Sequence, residues 1–310
     1  MNRITKRTWI VGLFLGVLLC GLLLFVGEYV TDAEAWVSFS GSPHLYNSSN
    51  IGCGTITDRS GQTLLSIAQG RTYSDNAQTR KSTLHWLGDR NGFINAAAVS
   101  TYAGAMAGYD LINGVYDSSG EGGTARLTLS AKVQNTALEA MGDRKGTVAV
   151  YNYKTGEILC ALTTPTYDPE NVPDIASDTT GAYDGVYLNR FVQSAYVPGS
   201  IFKIVTLSAA LDCVPGIEEK TFPCKGKLTY GSGGNTEAVT CEKAHGNQSI
   251  KQAFANSCNC AFAQIAELVG RDNMVKYVRQ FQVTQRLSFD GVTTAAGNYD
   301  ISDTGAVSFA

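Results

Sequence analysis

Charge is scarce in this chain. Only 16% of its 310 residues are charged, the net charge is −3, and no basic patch stands out. A nucleic-acid surface needs clustered Lys and Arg to meet phosphates, so a nucleic-acid partner is excluded. Histidine is rare, with three copies; His44 and His85 have no visible partners and read as structural or surface residues. No internal repeat and no low-complexity tract occurs, which leaves no basis for a solenoid or a biased linker array. What is present is apolar: 44% hydrophobic residues, 10% of the chain aromatic. That is enough for a core and argues against global disorder. The 33 glycines suit many turns and short strands, and the length suggests about two domains.

Arg3, Lys6 and Arg7 precede Trp9 to Gly27, nineteen residues without a charge. As a helix this run is about 29 Å long, enough to cross a bilayer core. The basic flank places residues 1–8 in the cytoplasm and everything after Glu28 outside. A cleaved signal peptide, with Ala33-Glu-Ala35 as the cleavage site, is the alternative. The run is longer than a signal h-region, which favours a single-pass membrane anchor over residues 9–27. Thr31 to Asn50 is polar and aromatic and reads as an extended juxtamembrane segment.

Further on, Gly54 to Leu65 alternates around Asp58-Arg-Ser-Gly61, a strand, turn and strand. Residues 82–118 are rich in Ala and Gly and read as short helices. Ser118 to Gly123 reads as a turn or linker. Leu127 to Met141 has a helical period with Ser130 as N-cap. Its core face would be Val133, Ala137, Leu138 and Met141. Thr147–Tyr151 and Glu157–Leu162 form a hairpin around Asn152–Gly156. Residues 164–195 are a long loop region with three prolines, of the kind that borders active sites. Helical patterns start at Ser249 and run from Ala261 to Gly270, where Gly is a C-terminal stop.

The stretch from Tyr196 to Leu211 carries the chemistry. Pro198 and Gly199 make a turn that cannot be helix interior. Ser200 to Leu211 is then apolar on nearly every face, as expected of a central helix. Its first turn nevertheless holds a hydroxyl, Ser200, and an amine, Lys203. Residues three apart share a helix face. A cation at a helix N-terminus is disfavoured by the macrodipole, and partial desolvation makes it easier to deprotonate. A neutral Lys203 could take the proton of Ser200, and the free backbone N–H groups of that helix end suit an oxyanion. The plain alternative is a capping serine followed by a surface lysine. A second constellation, Asn256-Ser-Cys-Asn-Cys260, places Ser257 and Asn259 two apart. In an extended turn they point the same way, where they could relay a proton and hold a substrate amide. Plain helix capping would also explain them.

Together, Ser200-Ile-Phe-Lys203 and Ser257-Cys-Asn259 resemble the transpeptidase domain of penicillin-binding proteins, which shares its Ser-x-x-Lys chemistry with serine β-lactamases. The hairpin at 146–159, Pro165-Thr-Tyr-Asp-Pro169 and Asn189-Arg190 extend the likeness. The anchor and the Gly54–Leu65 hairpin are similar to the class B, monofunctional members. The resemblance implies an α/β fold of α+β type, an antiparallel sheet with helices on both faces, only partly encoded here. It implies a β-rich pedestal over residues 28–125 and a partial transpeptidase domain over 126–310. It also implies acyl transfer from D-Ala-D-Ala stem peptides of peptidoglycan, with no cofactor required. Ser200 would be the nucleophile, Lys203 the base, Ser257 a relay to the leaving amine, and Asn259 an anchor for substrate and Lys203. β-Lactam antibiotics would acylate Ser200, and cell-division or elongation membrane proteins are the expected protein partners. A β-lactam-hydrolysing or sensing relative, and a non-catalytic cell-wall scaffold, are the alternatives.

One departure stands out. The family's third motif, Lys-[Thr/Ser]-Gly, follows Ser-x-Asn, yet the only Lys-Thr-Gly here is Lys154–Gly156, ahead of Ser200 in a hairpin turn. The expectation is therefore a chain truncated before that motif, and inactive as it stands. Between and within the first two motifs fall Cys224, Cys241, His245 and Cys258. Three Cys and one His are a complete ligand set for structural zinc. Sixteen residues separate Cys224 from Cys241, and a disulfide between them, permitted outside the membrane, is the equal alternative.

Overall fold

The apolar N-terminal run folds as expected but reaches further. In the computed structural model, which describes residues 2–37, 46–47, 50–51, 54–68, 70–112, 122–230 and 237–299, helix α1 spans Asn2–Val37. It is long and apolar enough to cross a membrane. The extended segment expected from Thr31 is thus helical up to Val37. Ala33, Glu34 and Ala35 are strong helix formers with no Pro or Gly to stop them, and Ala33 is buried. Strands β1 (Tyr46–Asn47) and β2 (Asn50–Ile51) then form a two-residue antiparallel ladder.

The chain divides into two compact units: the first runs to Gln193 and takes in Asp290–Val292, and the second starts at Ser194 and holds the rest. In the first, β3 (Gly54–Thr57) and β4 (Thr63–Ile67) are the expected hairpin. β5 (Arg71–Tyr73) adds antiparallel to β4, and β6 (Thr124–Arg126) adds parallel to β3, giving the order β5-β4-β3-β6. The turn is fixed by Asp58. Its buried carboxylate accepts from the amides of Ser60 and Gln62 and from the Ser60 hydroxyl. Helix α2 (Ala77–Leu87) starts at Asn76, whose side chain accepts from Gln78 N and Thr79 N. The short α3 (Ala97–Thr101) and α4 (Ala103–Met106) follow. Residues 118–121 of the expected linker lie outside the described residues, as do His44 and Cys53.

Helix α5 (Ala131–Met141) has Ser130 as its N-cap, as read from the sequence. Its core face differs: Val133, Ala137, Leu138 and Met141 are only half-buried, and Ala131 and Gln134 are the fully buried residues. Gln134 is polar but satisfied. It donates to Ser82 O and accepts from the Ala161 amide and the Cys160 thiol, which removes the cost of burying it. Strands β7 (Gly146–Tyr151) and β8 (Ile158–Thr164) pair antiparallel, and Lys154-Thr-Gly156 sits in their turn.

The long loop is tied down by its polar residues and ends in the single turn α6 (Arg190–Gln193). Asp168 forms a two-pronged pair with Arg80 at 2.6 and 2.7 Å. Asn189 donates to His85 O and accepts from the Phe191 amide, while Arg190 Nε donates to Thr164 O. Within this unit, the Pro165–Pro169 and Asn189-Arg190 motifs act as staples.

The second unit packs α7 (Lys203–Cys213) against α9 (Asn259–Val269) and α10 (Arg271–Gln280). Around them lie β9 (Thr221–Cys224), paired with β12 (Gly246–Ser249), and β10 (Lys227–Tyr230), paired with β11 (Glu237–Thr240). Helix α8 (Ile250–Ala255) begins with a capping box of Ser249 and Gln252. Phe262, Ile265, Ala209, Ala210 and Met274 are core residues with no exposed surface. Helix α7 is not buried all round, contrary to its composition. Ile204 and Leu211 on it, and Ile201 just ahead of it, remain exposed, because among the described residues nothing covers that face.

Candidate active site

The turn before α7 sets the geometry. Gly199 has φ +58°, a left-handed conformation that glycine adopts without penalty. The chain then runs through a 3₁₀ turn, Gly199–Phe202, into the α-helix at Lys203. The tighter turn brings Ser200 and Lys203 onto one side, with Ser200 exposed and Lys203 only 3% exposed. Lys203 Nζ donates to Ser200 Oγ at 3.0 Å and to Asn259 Oδ1 at 2.8 Å. It also stands 5.7 Å from the centroid of the Phe262 ring. Burial pushes the Lys203 amine below its ordinary value, while the nearby Cys241 and Cys258 pull it back up.

Asn259 is held by its other end. Its Nδ2 donates to Thr240 O on β11 at 2.9 Å, so its carbonyl oxygen faces Lys203. Ser257 does not join this chain of hydrogen bonds. It is exposed with φ +48°, and Asn259 already begins α9. The extended turn expected over 257–259 is therefore absent, because Cys258 caps the helix and the residue before it turns left-handed. Ser257 and Asn259 therefore do not share one extended turn.

The thiols gather behind Asn259. The ligand atoms of Cys224, Cys241, His245 and Cys258 all lie within 4.8 Å of one another. Cys224 Sγ is 3.5 Å from His245 Nδ1, and the sulfurs of Cys241 and Cys258 are 3.7 Å apart. Tetrahedral zinc with Zn–S bonds of about 2.3 Å has ligand–ligand edges of about 3.8 Å; the Cys224–His245 and Cys241–Cys258 edges come near that, while the set as a whole is looser, spread over up to 4.8 Å. Burial opposes ionisation of Cys224, but hydrogen bonds from His245 and the Gly226 backbone overcome it and lower the thiol to about 6. Burial raises Cys258 to about 11. Cys224 and Cys241 are both free thiols; the sulfurs that Cys241 meets are those of Cys258 and of Cys260, 3.5 Å away.

Cys260, Phe262 and the Thr240 carbonyl were not among the residues the sequence singled out. The Cys258-x-Cys260 spacing could have signalled the first. The Thr240 carbonyl has no sequence signature, since any residue supplies that oxygen.

The fold and this placement of Ser200, Lys203 and Asn259 are those of a penicillin-binding-type transpeptidase domain, and comparison with known proteins agrees. Residues 146–310 match the family described as the penicillin binding protein transpeptidase domain, and the chain belongs to that family. It is 33% identical over 230 residues to the stage V sporulation protein D of Bacillus subtilis, covering 70% of this chain and 32% of that protein. It is 28% identical over 182 residues to the peptidoglycan D,D-transpeptidase PbpA of Mycobacterium tuberculosis, covering 52% of this chain and 36% of that one. The solved D,D-transpeptidase domain from Eggerthella lenta superposes with a TM-score of 0.62 at 28% identity, over 79% of this chain and 57% of that one. M. tuberculosis PBPA superposes at 0.65 with 21% identity, over 83% and 64%. The chain spans about a third of the length of the curated relatives it matches.

Proposed function

We propose that this chain carries the nucleophile and base of a membrane-anchored peptidoglycan D,D-transpeptidase. The observation that carries the reading is the Lys203 amine held 3.0 Å from the Ser200 hydroxyl and turned by Asn259. In this reading neutral Lys203 takes the Ser200 proton as Oγ attacks the carbonyl carbon of a D-Ala-D-Ala stem. The C–N bond to the terminal D-Ala breaks, and its amine receives a proton through Ser257. An amine of a second stem then attacks the acyl-enzyme, forms the cross-link and releases Ser200. A β-lactam opens by the same attack, but its leaving amine stays tethered, so the acyl group persists. The chemistry needs no cofactor.

The α1 helix serves as a single-pass anchor with the N-terminus cytoplasmic and the catalytic region outside. Residues 28–125 form the pedestal that meets membrane proteins of division or elongation, and 126–310 belong to the transpeptidase domain. Cys224, Cys241, His245 and Cys258 bind structural zinc, which would hold the β11 end and the Asn259 turn together. Metal analysis of the purified chain tests this: one zinc per chain is expected, its loss in Cys224→Ser follows, and a metal-free wild type refutes it.

Covalent labelling tests the chemistry. A fluorescent penicillin should label the protein at Ser200, and Ser200→Ala should abolish the label. Rapid turnover of the adduct would instead mark a β-lactam hydrolase, and no label on a folded protein would leave a scaffold.

A further inference from the structure

The last turns of α1 do not stand free. Ala33 is buried, and the Glu34 side chain lies so close to α4 that a Cβ on Gly104 would meet its carboxylate at 2.5 Å. The Tyr29 hydroxyl donates to Leu111 O at 2.9 Å. The next residue, Ile112, has its amide on Asp110 Oδ1, which holds the turn. Ile112 is 88% exposed, and Leu111 beside it is 39% exposed. An apolar pair is therefore fastened to the side of α1 at one known level.

That level can be placed. Tyr29 lies two residues past Gly27, about 3 Å along the axis beyond the charge-free run. The interfacial layer on each side of a bilayer is about 5–7 Å thick. Helical side chains lean toward the helix N-terminus, here the membrane side, so the Tyr29 hydroxyl sits at or below its own Cα. Tyr favours that layer for the same reason.

We propose that Leu111 and Ile112 dip into the lipid interface on the far side of the bilayer that α1 crosses, a second contact beside the anchor; the proposal rests on the anchor reading above. Its occupant is phospholipid, at the headgroup–acyl boundary, where an exposed apolar pair on a polar turn is stable. The contact fixes the tilt of the first unit against the membrane, which a single helix leaves free.

The test uses the full chain in vesicles of phosphatidylethanolamine and phosphatidylglycerol. The photo-crosslinker benzoylphenylalanine replaces Ile112, Phe93 or Leu18, one at a time. All three positions are exposed, at 88%, 63% and 69%, so none disturbs the core. After irradiation, the expected result is a peptide mass increased by one phospholipid at positions 112 and 18, and none at 93. Adducts at 18 without any at 112 overturn the proposal and leave the anchor reading intact. Absence at both removes the anchor reading, and the proposal with it. Adducts of equal yield at 93 and 112, or a protein adduct at 112, also overturn it.

Discussion

Lys203 is the side chain whose protonation decides whether Ser200 can react. Its amine lies below the usual lysine value because burial disfavours the charged form. Acylation by penicillin should therefore rise with pH and level off at a midpoint below that of a free lysine; stopped-flow or gel-based acylation rates across pH measure it. Lys203→Ala should slow acylation by about 10²–10⁴-fold and remove the pH step. A variant that keeps the wild-type profile would show that another group is the base. Asn259→Ala should also slow acylation, since Lys203 would keep Ser200 but lose its second acceptor at 2.8 Å. The Ser200–Lys203 pair was legible because both residues fall in one short motif. The support for Asn259 was not, because it comes from a backbone carbonyl nineteen residues earlier. The extended turn over 257–259 was misjudged for a local reason: such a turn and a left-handed residue before a helix cap look alike in sequence.

At the level of elements, α5 shows what patterning can and cannot reveal. The Ser130 cap was visible, and its hydroxyl accepts from Val133 N at 3.4 Å. A second cap was hidden. Asp58, in the β3–β4 turn, accepts from the Ala131 amide at 3.1 Å, so one carboxylate closes the hairpin and opens the helix. Hydrogen bonds from Ser60, Ala131 and Gln62 outweigh the burial that would raise this carboxyl and hold it below the usual range. The two caps should differ in weight. Ser130→Ala, with its long bond, should cost about 0.5–1 kcal/mol. Asp58→Ala leaves the buried Ala131 amide without a partner and opens the β3–β4 turn, and should cost about 1–3 kcal/mol. Urea titrations of both variants measure the order; a larger loss at Ser130 would sink the argument. The core face of α5 was misread because Gln134 is polar. Its burial is stabilised by the Ser82, Cys160 and Ala161 partners, which no helical period reveals.

At the scale of the molecule, the two compact units should respond differently to acid, and the first carries the reason. His85 is 2% exposed on α2, with Nε2 2.7 Å from Val186 O. Burial lowers its pKa to about 4, assisted by the Arg190 charge and opposed by the Val186 bond. The folded imidazole thus stays neutral where the unfolded one, titrating near 6.5, already binds a proton. Between those values the unfolded state holds more protons, so stability falls as pH drops from about 6.5 to about 4. The whole window amounts to about 3 kcal/mol, and below it the loss from this group stops growing. All three tryptophans, Trp9, Trp36 and Trp86, lie in the first unit, and Trp86 neighbours His85 in the core, its Nε1 on Ala161 O at 2.7 Å. Tryptophan emission therefore reports that unit alone. Its melting temperature should fall between pH 7 and pH 4.5, and His85→Gln, although less stable at neutral pH, should flatten the fall. An equal slope in wild type and variant would assign the acid sensitivity to the carboxylates, Asp58 and Asp168 first, since both are held below their usual range by hydrogen bonds that protonation would break.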